Sequence, residues 1–231
     1  MLKIYYYKTN TISDNTYNNI IEQLPYSMRK YIDSFKLYSD RRNRAVSRLM
    51  LLNFLASEHG CDINALPEFK NDKYGKPLNE GGIPSLFTIH YPLFTCSIYF
   101  NISHTAGITS IALSDSHVGI DIEKITEINP LDFRKFFTDN ELEIICKSEN
   151  KAIAFFKFWT LKESVMKLSG YGFSINPLSI EISMPESIFI NGSKVFSKNY
   201  NMGEFILSVS AYNSISSDIY PEERIINAFK K

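Results

Sequence analysis

Val118-Gly119-Ile120-Asp121-Ile122-Glu123 sets two carboxylates two residues apart in a segment rich in β-branched side chains. In an extended strand alternate side chains share a face. Val118, Ile120 and Ile122 then point into a core, while Gly119, Asp121 and Glu123 share the other face. Like charges held that close repel, so a cation is the simplest reason to keep both ionised. Mg²⁺ suits the pair, because it takes one or two carboxylates and completes its octahedron with waters and substrate phosphates. The plainer alternative is the solvated face of a half-buried sheet.

Two further segments bear on that choice. Asn101-Ile102-Ser103-His104-Thr105 lies just upstream. It is followed by a strand-like run, Ile108 to Leu113, and a turn, Ser114 to His117. This reads as a β-hairpin with a polar Ser-His corner at one end. Ser and His can both donate to phosphate oxygens; the alternative is local turn bonding. The other segment, Trp159 to Lys167, falls in the second half of a long helix over residues 148–170. Ala154, Phe158, Leu161, Val165 and Leu168 form its core stripe. Ser148 or Asn150 can cap its start, and Gly170 fits its end. Glu163 and Lys167 lie four apart on a face away from that stripe, which by itself is an exposed ion pair.

Together these segments resemble the signature blocks of the Sfp-type 4′-phosphopantetheinyl transferase family. That family carries a Gly-Ile-Asp-x-Glu block and then a Trp-x-x-Lys-Glu-x-x-x-Lys block, matched by residues 118–123 and 159–167. An Asn-x-Ser-His block precedes them, matched by Asn101 to His104. A Gly-Lys-Pro block lies further upstream, matched by Gly75-Lys76-Pro77. The resemblance covers roughly residues 20 to 212. It implies an α+β fold of two similar α/β subdomains in one chain, residues 1–117 and 118–231, with the active site in the cleft between them.

The resemblance also implies the chemistry. Such enzymes move the phosphopantetheine arm of coenzyme A onto a serine of an apo acyl or peptidyl carrier protein and release adenosine 3′,5′-bisphosphate. Asp121, Glu123 and Glu163 are implied as Mg²⁺ ligands. Glu163 is also the implied general base, a role shared with a metal-bound water, because a cation stabilises the ionised carboxylate and weakens it as a base. Lys167 is implied to neutralise the pyrophosphate, and Lys162 either does the same or pairs with a neighbour. Ser103 and His104 are implied to meet the nucleotide phosphates, and Lys76 the adenine nucleotide. Trp159 reads equally as support or as a ligand contact.

A basic element stands near the N-terminus, where a helix runs from Ser39 or Asp40 to Gly60. Arg41, Arg44 and Arg48 share one face, and Ala45, Leu49, Leu52 and Ala56 another. Arginine forks suit phosphates, yet the dipole at a helix start favours anions. By resemblance Arg44 meets the 3′-phosphate of coenzyme A, with Arg29 or Lys30 as a further candidate for the same contact. Arg41 and Arg48 read as a solvated basic face.

The remaining elements are those needed to position these side chains. Residues 1–7 form a strand candidate. Thr138-x-x-Glu141 is a capping box before a short helix. Leu178 to Ser183 and Phe205 to Tyr212 alternate like strands, and residues 187–196 form a hairpin around Asn191-Gly192. Residues 80–98 exceed the family's usual spacing and read as an added hairpin or lid. Ile125, Phe133, Phe136 and Phe137 offer a carrier-docking edge, with Phe136 better explained as core.

Composition bounds the partners. The chain has 231 residues, 44% of them hydrophobic, and a formal net charge of zero. That argues against general nucleic-acid binding. Three scattered cysteines, Cys61, Cys96 and Cys146, read as buried thiols in a reducing compartment. With no membrane-length apolar run, the expectation is a cytoplasmic monomer. Two other readings fit the same carboxylates: a different Mg²⁺-dependent phosphotransfer or hydrolysis enzyme, and a non-enzymatic module that binds coenzyme A or a carrier protein.

Overall fold

The helix expected over residues 39–60 forms as Tyr38–His59 and ends at Gly60, whose φ of 61° is the left-handed conformation of a C-terminal glycine. This computed structural model describes residues 1–66, 70–71, 77–78, 86–90, 95–170, 175–183, 187–190 and 192–224. Lys76 lies outside them, as do residues 80–85 and 91–94 of the expected added segment.

In chain order the elements are β1 (Leu2–Lys8), α1 (Asp14–Gln23), α2 (Tyr26–Asp33), α3 (Tyr38–His59), β2 (Lys70–Asn71), β3 (Pro77–Leu78), β4 (Leu86–His90), β5 (Thr95–Thr105), β6 (Ile108–Ser114), β7 (Val118–Lys124), α4 (Asp139–Lys147), α5 (Lys151–Ser169), β8 (Glu181–Ser183), β9 (Ser187–Ile190), β10 (Ser193–Asn201), β11 (Phe205–Ala211) and β12 (Glu222–Glu223). The fold is α+β. One sheet has the order β12-β1-β6-β5-β4, the other β7-β11-β10-β9-β8, and β2 pairs with β3. Two compact units result. One holds residues 4–98, 102–111 and 221–231, the other residues 1–3, 99–101 and 112–220. Among the described residues no helix is long and apolar enough to cross a membrane.

In the N-terminal unit α3 is buried on more than one stripe. Ala45, Leu49, Leu52 and Ala56 are buried as their spacing requires, and Val46, Met50, Leu51 and Leu55 join them. α1 and α2 supply Ile20, Met28 and Ile32 to the same interior. Ser103 and His104 lie at the end of β5, and Gly107, at φ 81°, turns the chain into β6.

In the C-terminal unit β7 pairs antiparallel with β11, placing Gly119 opposite Ser210, Asp121 opposite Ser208 and Glu123 opposite Ile206. The long helix expected over 148–170 begins later, at Lys151, because Asn150 caps it with Oδ1 accepting from the Ile153 amide at 3.0 Å. Gly170, at φ 78°, ends it. The capping box between Thr138 and Glu141 forms at α4. The strand expected from Leu178 starts only at Glu181, because Asn176 and Pro177 draw residues 177–179 into a 3₁₀ turn. The 187–196 hairpin forms, with Gly192 at φ 76°.

Trp159 is a packing residue. It stacks on Phe155 at 5.9 Å between ring centres and meets Phe133 and Phe136 edge-on. Phe137 is 2% exposed and belongs to the interior, while Ile125, Phe133 and Phe136 are partly buried against the same core. Cys61 and Cys146 are free and half-buried rather than buried.

Candidate active site

Gly119 is what brings the acidic strand and α5 together. A β-carbon there would overlap the carbonyl oxygen of Ser164 and stand 2.6 Å from the Leu168 nitrogen. The helix lies directly on the strand backbone at this point. The facing positions of β11 are correspondingly small and polar. Thr160 Oγ1 meets Ser208 Oγ at 2.6 Å, Ser164 Oγ meets Ser210 Oγ at 2.7 Å, and Ser197 Oγ meets Ser210 Oγ at 2.7 Å. These hydroxyls satisfy one another, so the seam carries no penalty for unpaired buried polar groups. Side chains this small let the helix approach.

That close approach delivers four of the expected residues to one place. Asp121 is 3% exposed and Glu163 is 9% exposed, with Glu123 half-buried beside them. Lys167, one turn beyond Glu163, donates from Nζ to Asp121 Oδ1 at 2.7 Å. Burial pushes the Glu163 carboxyl up to about 7; the Asp121 charge pushes the same way, Lys167 opposes it, and Glu123 adds a smaller upward push. Three hard oxygen donors suit a small divalent cation such as Mg²⁺. Among the described residues, however, no three His, Cys, Asp or Glu side chains stand ready-arranged around a metal position. The ammonium of Lys167 lies against Asp121 instead.

Lys162 does not join this group. It is 2% exposed, and its Nζ meets Glu141 Oε2 at 2.9 Å, the Pro177 carbonyl at 2.8 Å and the Ile180 carbonyl at 2.9 Å. Three ammonium donors on three acceptors leave nothing for a phosphate. Of the two expectations for Lys162, pairing with a neighbour is the one the geometry favours. Glu141 is the residue that the sequence reading missed here. The capping-box spacing identifies its local role, but nothing in that spacing signals a partner in the next helix.

The other expected residues belong to the N-terminal unit. Arg44 donates from Nη1 to the Tyr31 hydroxyl at 3.2 Å, and its guanidinium lies 3.8 Å from the centre of the Phe35 ring. Among the described residues, the buried Nε groups of Arg29, Arg41, Arg42 and Arg44 have no hydrogen-bond partner. Four such donors on α2 and α3 suit an anionic ligand. Arg48 is not part of a solvated face: it is 5% exposed, near Tyr31, and burial pushes its pKa down to about 10. Arg41 is half-buried. Its Cζ stands 5.7 Å from the centre of the Tyr38 ring, so it too is more than solvated surface. His104 lines a cavity of about 570 Å³ with Thr9, Tyr38, Arg42, Asn43 and the turn at 105–107. Ser103 is 5% exposed, and its carbonyl accepts from Thr109 and Ser110. Arg42 and Asn43 went unnoticed in the sequence, where their neighbours in the arginine run drew attention first.

Residues 117–209, which hold β7, α5 and β11, match the family model of the 4′-phosphopantetheinyl transferase superfamily. The chain is 34% identical over 130 residues to the 4′-phosphopantetheinyl transferase gsp of Aneurinibacillus migulanus, an overlap of 54% of this chain and 48% of the relative. It thus spans about half the length of that protein. It is 25% identical over 191 residues to the 4′-phosphopantetheinyl transferase psf-1 of Bacillus pumilus, covering 80% of this chain and 76% of the relative. The 4′-phosphopantetheinyl transferase Sfp of Bacillus subtilis is 25% identical over 177 residues, with 75% and 73% covered. The acidic strand and the Lys-Glu helix both lie inside the segment that matches the 4′-phosphopantetheinyl transferase superfamily model.

Proposed function

We propose that this chain transfers the 4′-phosphopantetheine arm of coenzyme A to a serine hydroxyl of an apo acyl or peptidyl carrier protein. The observation that carries the reading is the placement of Asp121, Glu123, Glu163 and Lys167 by β7 and α5. In the reaction the serine oxygen bonds to the β-phosphorus of coenzyme A. The bond from that phosphorus to the bridging oxygen breaks, and adenosine 3′,5′-bisphosphate leaves. The serine proton needs an acceptor, and Glu163, shared with a neighbouring water because a bound cation would weaken the carboxylate as a base, takes this role. Lys167 neutralises negative charge on the pyrophosphate as the bridge opens.

Asp121, Glu123 and Glu163 would hold Mg²⁺, supported by their oxygen-only donor set and by the crowding of negative charge around Glu163. When bound, the ion supplies further charge neutralisation at the pyrophosphate. Arg44, Ser103 and His104 are assigned to the nucleotide phosphates, supported by the arginine Nε donors on α2 and α3 that have no partner among the described residues. The test is the intact mass of an apo acyl carrier protein after incubation with this protein, coenzyme A and Mg²⁺, with and without a chelator. The expected result is a gain of one phosphopantetheine arm that the chelator prevents. Cleavage of coenzyme A with no gain on several carriers would point to a hydrolase instead.

A further inference from the structure

We infer that Lys167 is the built-in counter-ion of Asp121 in the metal-free protein, so that a divalent cation must displace its ammonium to bind. The inference rests on the assignment of Asp121, Glu123 and Glu163 to the cation. Its own support is geometric. The Lys167 ammonium stands 2.7 Å from Asp121 Oδ1, the separation of a charge-assisted hydrogen bond. The Asp121 side chain is 5% exposed, while that of Lys167 is 25% exposed. The carboxylate is therefore fixed in the interior, and the ammonium reaches it from a partly open side. A four-carbon stem with rotatable donors can swing away from such a contact where a strand carboxylate cannot.

The arrangement answers a charge problem. Asp121, Glu123 and Glu163 crowd one spot, and burial magnifies their repulsion. Without a cation from solution, the chain places one of its own there. Lys167 consequently has two uses. It stabilises the metal-free site, and once displaced it stands beside the site as a cation that can meet an incoming phosphate. Metal affinity is set low by the same residue that later serves the substrate.

The test is Mn²⁺ binding to the full chain without coenzyme A, followed by the paramagnetic resonance of free Mn²⁺ at pH 8, where proton competition at Glu163 is small. Lys167→Met should bind Mn²⁺ at least tenfold more tightly than the parent, while Lys167→Arg, which keeps the charge, should stay within about threefold. Lys157→Met, which removes an exposed charge from the same helix, should change nothing. Asp121→Asn should lose the binding. In the parent, acetylation of Lys167 read by peptide mass spectrometry should accelerate when Mn²⁺ is added, which checks displacement without any substitution. If Asp121→Asn loses binding but Lys167→Met binds no more tightly than the parent, the counter-ion role is overturned and the metal assignment stands. Metal binding with no change in Lys167 acetylation overturns it as well. If Mn²⁺ binds to none of the proteins, or equally to Asp121→Asn, the metal assignment itself falls and the inference with it.

Discussion

Gly119 and Ser164 are in backbone contact: a β-carbon on Gly119 would occupy the place of the Ser164 carbonyl oxygen. Neither a helix backbone nor a paired strand can yield cheaply. Gly119→Ala must therefore lift α5 from β7, and α5 carries Glu163 and Lys167. Overpacking of this kind costs about 1–3 kcal/mol. The expected outcome is a folded but less stable protein, measured by urea denaturation, with carrier modification reduced by more than tenfold. The misplacement of Glu163 and Lys167, the side chains proposed to act in the transfer, is what would lower the rate. Parent-like activity in this variant would mean that the helix and strand can separate without harm.

The Glu163 carboxyl predicts a pH dependence for the chelated, metal-free protein. Its pKa rises from an ordinary 4.5 to about 7 in the fold, so the folded state binds this proton more tightly than the unfolded chain. The corresponding stability is fully present below about 4.5 and is lost as pH rises through about 7. The span corresponds to about 3 kcal/mol. Glu163→Gln, uncharged throughout, should remove this component and leave the metal-free protein more stable than the parent at pH 8. Urea midpoints of both proteins at pH 5, 6, 7 and 8 with a chelator present would decide it. Parallel curves would show that Glu163 carries no such strain.

The site residues were legible in the sequence to different degrees, for physical reasons. Asp121 and Glu123 show themselves by period-two alternation, because the pleat forces them to one face. Glu163 and Lys167 show themselves by four-residue spacing on one helix. The contact of Lys167 with Asp121 is not legible, since it joins residues 46 positions apart through a packing distance that Gly119 sets. The serine seam is half legible: Ser208 and Ser210 alternate in β11, but the pattern does not say that a helix will meet their hydroxyls. Arg48 misled because a basic residue on a helix reads as solvated, while here it is buried beside Tyr31 of α2. Among the elements, α3, α4 and α5 follow from their caps and periodicity. The departure of β7 from β6 into the other sheet does not follow, because the short turn at 114–117 would equally suit a hairpin.

Arg44 is expected to read the nucleotide end of coenzyme A. Its guanidinium lies over Phe35 and its buried Nε has no partner among the described residues, so the ring holds it in place while donor capacity remains. A charge-assisted hydrogen bond to a phosphate contributes about 1.5–3 kcal/mol. Arg44→Met should raise KM for coenzyme A by roughly 10- to 100-fold with little change in kcat. With dephospho-coenzyme A, which lacks the 3′-phosphate, parent and variant should behave alike. An equal loss with both substrates would move Arg44 away from that phosphate and toward a structural role.

Glu141 and Lys162 form a buried ion pair joining α4 to α5, with both side chains 2–3% exposed. Glu141 also accepts from the Thr138 amide at 2.8 Å, so one carboxylate caps one helix and anchors the next. Desolvation lowers the pKa of Lys162, and the Glu141 partner opposes that shift. Removing one member strands a charge in the core, at a cost of about 3–5 kcal/mol. Glu141→Leu and Lys162→Met should each be destabilised by that order in urea denaturation. The double variant should recover much of the loss, because replacing a whole buried pair by apolar groups of similar size is often neutral. The recovery will be incomplete. The Thr138 amide loses its acceptor, and that alone costs about 1 kcal/mol. The carbonyls of Pro177 and Ile180 also lose the Lys162 donor. Transfer activity should follow stability in these variants, since neither side chain touches the acidic cluster. A double variant that is stable yet inactive would show that Lys162 acts in catalysis after all.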